Sequence, residues 1–310
     1  MKTAYITHPD CLKHEMTEGH PEEPQRLLAI QDQLQSQQLW DFLKHFEAPS
    51  ADLQALLRVH SQQHIDNIFQ YAPKPGQPLF HLDPDTLMNK HTLSAALRAA
   101  GAGVMAVDLV MEKQIDNAFC AVRPPGHHAE NNKAMGFCFF NNIAIAASYA
   151  LEKYNLERVA IVDFDVHFGN GTENIFKNEP RVMICSSYEY PLYPFINPPS
   201  TLSHFINSPL KAISDGSEFR MAVQKEWLPE LEAFKPQLIF ISAGFDAHWE
   251  DDISQLQLNE TDYAWVTQEI TNIANKYAEN RIISMLEGGY ALSALGRSVE
   301  QHIRVLMGLD

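Results

Sequence analysis

The stretch VAIVDFDVHFGNGT, Val159–Thr172, begins as an apolar strand and then carries polar groups to the end of that strand. Asp163, Asp165 and His167 stand at every second position, and alternate residues of a strand point to the same face. Unpaired carboxylates in apolar surroundings are costly. The pattern therefore predicts a positively charged partner for this face, and a metal ion is the simplest candidate.

Short apolar segments alternate with longer amphipathic segments along the rest of the chain. The predicted strands are 3–8, 117–122, 158–166, 181–187, 236–246 and 281–290. The predicted helices are 21–35, 92–113, 141–155, 218–234 and 261–279. This alternation predicts an α/β fold, with a mainly parallel central sheet and helices on both faces. Nothing marks a domain boundary, so we expect one domain over residues 1–310.

Composition and charge exclude several classes of protein. The net charge of −16 argues against direct nucleic-acid binding and favours a basic substrate or peptide. No run of about 18 apolar residues predicts a membrane span, and the start MKTAYITHPDC does not have the pattern of a signal peptide. We therefore expect a cytoplasmic protein. The cysteines are scattered and predicted to be free, mostly buried thiols: Cys11, Cys120, Cys138 and Cys185.

Polar motifs follow four of the predicted strands. They are RPPGHHAE (123–130), DFDVHFGNG (163–171), GFDAH (244–248) and EGGY (287–290). Functional residues of open parallel sheets gather beyond the carboxyl ends of the strands. We therefore expect the four motifs to meet at one edge of the sheet.

Asp165 and His167 can both reach one divalent ion, and Asp246 is placed to be a third ligand. Three protein ligands with one open position are typical of catalytic zinc. His248 repeats the Asp-x-His spacing, and a ligand role for it would favour a two-metal hydrolase. The charged neighbours of His248 predict a solvated loop instead, so it is left out of the ligand set.

The adjacent histidines His127 and His128 acquire a use beside a metal ion. One can act as a general base on water, while the other steadies or protonates the reacting group. Asp163 and Asn170 are candidates to fix their tautomers from the far ring nitrogens. Tyr290 follows two glycines and could donate a hydrogen bond to an oxyanion. Nearby aromatic residues could line a narrow apolar channel for an aliphatic chain.

The motifs GHPEEPQR, LDPDT, RPPGHHAE, MGFCFFNN, DFDVHFGNGT, SAGFDAH and LEGGY occur in this order over nearly the whole chain. In this the sequence resembles the zinc-dependent histone deacetylase superfamily, and within it the class II-like bacterial amidohydrolases. The resemblance implies a single-domain arginase/deacetylase fold. It also implies hydrolysis of an acyl amide on an amine side chain.

Carried onto matching positions, the resemblance implies a full set of site residues. It makes Asp165, His167 and Asp246 the ligands of Zn²⁺, or of Fe²⁺, which similar ligands accept. It makes His128 the general base, supported by Asn170, and makes His127 its tandem partner, supported by Asp163; Tyr290 polarises the substrate carbonyl. It also implies a substrate channel of Gly136, Phe137, Tyr193 and Ile253, with Asp83 on the rim. A structural K⁺ is implied near Asp163, Asp165, His167 and Ser186.

Two positions depart from the family pattern. Phe168 stands where the family usually has a second histidine, which predicts altered packing rather than lost activity. Ile253 stands near the acidic gatekeeper of polyamine-preferring relatives, which favours acyl-lysine in a protein or peptide as the substrate. The acidic residues 250–252 keep a small acylated amine, such as an acetylated polyamine, as an alternative. A non-catalytic zinc-containing module that binds acyl-lysine, and a two-metal ureohydrolase-like enzyme, are the remaining alternatives.

Overall fold

A computed structural model describes residues 1–196 and 202–309 of the protein. Ten strands are assigned in the described chain: β1 Thr3–Thr7, β2 Lys44–Glu47, β3 Phe80–His81, β4 Leu87–Met88, β5 Asn117–Cys120, β6 Val159–Asp163, β7 Val182–Glu189, β8 Phe205–Leu210, β9 Leu238–Ala243 and β10 Ile282–Leu286. Eight of them form one sheet in the order β2-β1-β5-β10-β9-β6-β7-β8, while β3 and β4 form a short hairpin. All neighbours in the large sheet are parallel. The predicted α/β class is therefore confirmed.

The helices are α1 Gln25–Ser36, α2 Leu53–Leu57, α3 Gln62–Tyr71, α4 Thr92–Met111, α5 Asn142–Lys153, α6 Asn170–Phe176, α7 Gly216–Ala222, α8 Leu228–Phe234, α9 Glu260–Tyr277 and α10 Leu292–Met307. A π-helical turn, Val223–Trp227, joins α7 to α8, so the predicted helix 218–234 is one continuous stretch. Helices α4 and α5 form one group around the sheet, and α1, α9 and α10 form another. Members of both groups pack on β5 and β9.

The six predicted strands all lie in the sheet, but its two edge strands, β2 and β8, were not predicted. Three of the four residues of β2 are exposed, and β8 contains Pro209. Strands at an edge have one partner only, so they tolerate polar residues and proline. They consequently lack the apolar run that marks a central strand of a parallel sheet.

Helix α4 is long and apolar enough to cross a membrane by length and composition, within the described chain. However, 61% of its most apolar window is buried in the protein. The helix packs against β1, β5, β10 and α5. Its apolar composition is therefore that of a core helix.

Strand β6 ends at Asp163, three residues before the predicted end. Phe164 N–H still donates to the Ser242 carbonyl of β9 at 3.3 Å. The backbone N–H groups that follow bond to side chains instead: Asp165 N–H donates to Asp163 Oδ1 (3.1 Å) and His167 N–H to Asp165 Oδ1 (2.9 Å). Val166 N–H donates to Asp246 Oδ1 at 2.9 Å. Carboxylate oxygens thus accept the hydrogen bonds that a neighbouring strand would otherwise accept, and the chain leaves the sheet at the carboxyl end of β6.

A buried ion pair ties the N-terminal segment to the loop after β5. Arg123 and Glu22 are both fully buried, and Arg123 Nη2 donates to Glu22 Oε2 at 2.7 Å. Arg123 Nη1 donates to the carbonyl of Cys11 at 2.7 Å, and Arg26 Nη1 donates to Glu22 Oε1 at 3.1 Å. The segment before α1 is thereby fixed beside the residues that follow β5.

Glu22→Gln should lower the free energy of unfolding by about 3–5 kcal/mol, because it leaves a buried guanidinium without its counter-ion. Glu23→Gln is the matched control, since Glu23 is half-buried and adjacent. Denaturant unfolding measures both variants. Equal stability of the two would show that the buried pair does not stabilise the fold.

Candidate active site

Four neighbouring strands at the centre of the sheet deliver the candidate site residues to one edge. Strands β5, β10, β9 and β6 are adjacent in that order, although they are far apart in sequence. Because they are parallel, their carboxyl ends coincide. The loops beyond them carry His127 and His128 after β5, Asp165 and His167 after β6, Asp246 after β9, and Tyr290 after β10.

Asp165, His167 and Asp246 form a buried cluster that could hold a metal ion, with one ligand atom of each lying within 4.8 Å of the others. Nδ1 of His167 lies 3.0 Å from Asp165 Oδ1 and 3.1 Å from Asp246 Oδ2. Asp246 Oδ2 has no hydrogen-bond partner among the described residues. A Cβ at Gly288 would stand 2.0 Å from that oxygen, so glycine keeps the space open. A buried oxygen that lacks a hydrogen-bond partner and lies beside two other candidate ligand atoms fits a bound cation.

The electrostatics of the cluster favour a positive occupant. Burial raises the pKa of Asp246 to about 6, and the neighbouring carboxylate of Asp165 acts in the same direction. Burial opposes protonation of His167, but the carboxylates of Asp165 and Asp246 beside its ring raise its pKa to about 10. Without a metal, a proton on His167 partly offsets the charge. A metal ion would replace that proton, because a histidine ligand must be neutral.

The adjacent histidines lie beside the cluster, with ring centroids 4.1 Å apart. Nδ1 of His127 lies 3.0 Å from Asp163 Oδ2, and Nδ1 of His128 lies 2.8 Å from Asn170 Oδ1. Asn170 Nδ2 donates to Glu130 Oε1 at 2.8 Å, which fixes the amide oxygen toward His128. His128 therefore donates from Nδ1 and keeps a free lone pair on Nε2.

The two histidines differ in protonation. Burial opposes the charge of His127, but the carboxylates of Asp165 and Asp163 outweigh it and raise the His127 pKa well above the ordinary value. Burial and the adjacent charge of His127 lower the pKa of His128 well below the ordinary value. One imidazole is thus a cation, and its neighbour is a neutral base.

Tyr290 lies across the cavity from the histidines, in the loop between β10 and α10. Its ring centroid is 4.8 Å from Arg26 Cζ and 6.1 Å from the Phe137 ring. Burial raises the pKa of Tyr290 well above its ordinary value, so the phenol stays protonated as a donor. Arg26 holds this loop from below, because it donates to the carbonyls of Gly289 (2.6 Å) and Glu287 (2.5 Å).

A cavity of about 290 Å³ opens onto these groups. Its floor contains His127, His128, His167, Gly288 and Tyr290, and its walls and rim are Asp85, Pro125, Gly136, Phe137, Leu192, Tyr193, Phe195 and Ile253. Phe137 has φ 68°, a strained conformation for a phenylalanine. It is held there by an N–H bond to Thr86 Oγ1 (3.1 Å) and by the ring of His20, 4.7 Å away. The floor is polar and the walls are largely apolar.

The structure brings four of the five predicted channel residues to the cavity: Gly136, Phe137, Tyr193 and Ile253. Asp83 is not among the lining residues; its Oδ1 instead accepts the N–H groups of Asp85 (2.9 Å) and Thr86 (2.6 Å). Asp85 lies on the rim in its place.

The expectation that His248 begins a solvated loop is wrong. His248 is fully buried, with Nε2 3.5 Å from Glu260 Oε1, and the bridge between residues 248 and 258 holds it inside the fold. It is also outside the metal-ligating group found among the described residues. Phe168 packs against the ring of Tyr188 with centroids 4.9 Å apart, so its apolar ring belongs to the packing below the site.

Sequence reasoning missed Glu287, the buried carboxylate of the EGGY motif. Its Oε2 accepts the N–H groups of Gly126 (2.7 Å) and His127 (3.1 Å), so it orients the histidine loop. Burial raises its pKa to about 7. An acidic residue directly after an apolar strand was the available signal. Arg26 had no comparable signal, since it looks like a surface residue of an amphipathic helix.

The fold and the site thus define a class: an arginase/deacetylase α/β protein with a candidate metal centre at the floor of an apolar cavity. The histone deacetylase domain family matches residues 20–306. A probable deacetylase of Archaeoglobus fulgidus is 35% identical over 94% of this chain and 82% of its own. The human polyamine deacetylase HDAC10 is 32% identical over 99% of this chain and 48% of its own.

Among solved structures, the HDA15 HD domain superposes with a TM-score of 0.93 at 30% identity, covering 99% of this chain and 88% of that one. The chain belongs to the histone deacetylase family. This family membership supports a hydrolase activity on acylated substrates.

Without a metal ion, Asp246→Asn should make the protein more stable than wild type at neutral pH. A carboxyl whose pKa rises from 3.8 to about 6 on folding costs stability as pH increases through that range. The difference between the two proteins should therefore grow from pH 4 to 6, to about 3 kcal/mol at most.

Added Zn²⁺ should reverse the order, because it stabilises only the protein with all three ligands. Thermal unfolding with chelator and with Zn²⁺ measures both effects. Asp252→Asn is the matched control, since it removes the same charge from an exposed position nearby. A zinc-induced shift of equal size in Asp246→Asn would contradict the ligand assignment.

Proposed function

We propose that this protein is a zinc-dependent deacylase that hydrolyses the amide of acetyl-lysine, or a related acyl-lysine, in proteins or peptides. One observation carries the proposal. A neutral imidazole (His128), a phenol donor (Tyr290) and His167 of the three-residue ligand cluster line the same cavity. Amide hydrolysis needs a base, an oxyanion donor and an activated water, and these are the groups present.

The ligand set of two carboxylates and one imidazole fits Zn²⁺, and also Fe²⁺. When bound, such an ion supplies Lewis acidity, which polarises a carbonyl and makes water more acidic. The chain supplies the rest of the chemistry. His128 Nε2, with its lone pair free, takes a proton from the attacking water.

The substrate carbonyl carbon becomes tetrahedral as water adds, and Tyr290 donates a hydrogen bond to the oxygen that gains charge. The C–N bond then breaks, and a histidine of the pair donates the proton that the leaving amine needs. Acid and amine are the products. His127, held as a cation by Asp163, stabilises the negative charge that develops above the cluster.

A structural K⁺ is part of the proposal. Oγ of Ser186 is buried without a hydrogen-bond partner among the described residues. Ser186 on β7 is paired in register with Asp163 on β6. Asp163 lies two residues before the candidate ligand Asp165. An orphaned hydroxyl beside a buried carboxylate fits a monovalent cation that would fix the loop carrying Asp165 and His167.

The cavity favours an acyl-lysine over a more polar chain. Phe137, Leu192, Tyr193 and Ile253 provide an apolar wall that suits the four methylene groups of lysine. Asp85 on the rim and the net charge of −16 suit a basic peptide around that lysine. An acetylated polyamine is the second candidate, since one relative is named a polyamine deacetylase. A non-catalytic acyl-lysine-binding module has no need of the base and the donor found here.

The purified protein should hydrolyse an acetyl-lysine peptide, lose that activity with a chelator and regain it with Zn²⁺. His128→Ala should lower turnover by about 10²- to 10⁴-fold because the general base is lost. His45→Ala, on the exposed edge strand β2, is the matched control.

Chelator-insensitive hydrolysis, or full activity in His128→Ala, would contradict the proposal. Turnover of acetylated polyamines alone would move the function to small amines. No turnover of either substrate by the zinc-loaded protein would support the binding module.

Ile253→Glu should raise the rate on a monoacetylated polyamine relative to an acetyl-lysine peptide by about tenfold, or ~1.4 kcal/mol of selectivity. The reason is that a carboxylate at the cavity wall attracts the second amine of a polyamine. Ile253→Gln has nearly the same size without the charge and is the control. The ratio of kcat/KM values measures the effect, and an equal change in both variants would rule out a charge mechanism.

A further inference from the structure

The side chain of Asp251 is buried and accepts three backbone N–H groups. Its Oδ2 accepts from Tyr290 at 2.6 Å and from Ala291 at 3.0 Å, and its Oδ1 accepts from Ile253 at 3.3 Å. Only 5% of Asp251 is exposed, although its neighbours Glu250 and Asp252 are both exposed to solvent. A carboxylate buried in this way holds its partners firmly, because charge-assisted hydrogen bonds are strong.

Two of these partners belong to the segment that carries the proposed oxyanion donor. Tyr290 precedes Ala291, the N-cap residue of α10, and an alanine side chain cannot cap a helix. Asp251 instead accepts the N–H groups of Ala291 and of the preceding Tyr290, about 40 residues away in sequence, and places negative charge at the N-terminus of α10. The backbone from which the phenol projects is thereby fixed.

The segment around Asp251 is also attached to the rest of the site. Ile253 lies on the cavity wall, and Ser254 Oγ donates to the backbone carbonyl of the ligand residue Asp246 at 2.8 Å. Residues 246–254, called here the wall loop, therefore join the ligand cluster, the cavity wall and Tyr290. Asp251 is the member of the wall loop that bonds directly to the backbone of Tyr290.

A second connection between the wall loop and α10 is weaker. Glu250 Oε1 pairs with Arg297 Nη2 at 2.6 Å, but the side chains are 32% and 34% exposed. Ion pairs with this exposure are screened by solvent and salt. Phe245, just before the wall loop, adds a backbone bond to the Gly288 carbonyl at 3.0 Å, but the buried side chain that bonds to the Tyr290 backbone itself is Asp251.

We infer that Asp251 is a positioning residue for the proposed reaction, because its carboxylate holds the Tyr290 backbone and the cavity wall at Ile253 in one fixed arrangement. The inference rests on the proposed function of Tyr290. It also explains why Asp251 is buried although the acidic residues on either side of it, Glu250 and Asp252, contact solvent. A simple capping role would stabilise α10 without affecting turnover.

A double-mutant cycle distinguishes positioning from capping. Asp251→Ala should lower kcat on an acetyl-lysine peptide by roughly 10- to 100-fold, as expected when a catalytic group is misplaced by about 1 Å, with little change in KM. Asp251→Asn, which retains one acceptor oxygen, should fall between Asp251→Ala and wild type. In a Tyr290→Phe background, Asp251→Ala should change kcat by less than about twofold, because the group it positions is absent.

Asp252→Ala is the control for loss of one negative charge from the wall loop. Thermal unfolding and zinc content of every variant identify those that fail to fold or to bind metal. Equal kcat losses from Asp251→Ala in the wild-type and Tyr290→Phe backgrounds would overturn the inference, as would an unchanged kcat with a lowered melting temperature. Absence of hydrolysis by the wild-type protein would instead overturn the proposed function.

Discussion

The rest of the site depends on one constraint, which is the concentration of buried negative charge at the carboxyl ends of the central strands. Asp163, Asp165, Asp246 and Glu287 are each at most 1% exposed and lie within one region. The positive charges and hydrogen-bond donors around these carboxylates do not fully offset the cost of burying them, since burial raises the pKa values of Asp246 and Glu287. A bound cation would supply the missing positive charge. The buried carboxylates keep His127 protonated, and burial together with the positive charge of His127 keeps His128 neutral.

Much of this arrangement could be predicted from the sequence. The alternation of residues along a strand shows which side chains share a face, and polar residues directly after apolar strands mark the edge of the sheet where they meet. Asp165, His167 and Asp246 follow apolar runs, and a parallel sheet brings such ends together. The six central strands were recognisable for the same reason: they are buried on both faces. Strands β2 and β8 were not, because an edge strand is specified by its one neighbour rather than by its own composition.

The remaining features depend on partners distant in sequence. Asp251 belongs to an acidic run that looks solvated, and the N–H groups of Tyr290 and Ala291, which are distant in sequence, help to account for its burial. His248 was misjudged for the same reason, since Glu260 lies beside it in the fold. By its sequence pattern Arg26 resembles a surface residue, but in the fold it is buried and donates to the carbonyls of the loop after β10. Local pattern cannot reveal such contacts.

The most direct test of the central claim is a count and location of metal ions in the purified protein. Elemental mass spectrometry gives the number per chain, and anomalous diffraction at the zinc edge gives the position. One transition-metal ion, between Asp165, His167 and Asp246, is expected in a crystal of the zinc-loaded protein. A zinc-loaded protein with no ion among these three residues would contradict the account, and a second ion beside His248 would restore the two-metal alternative.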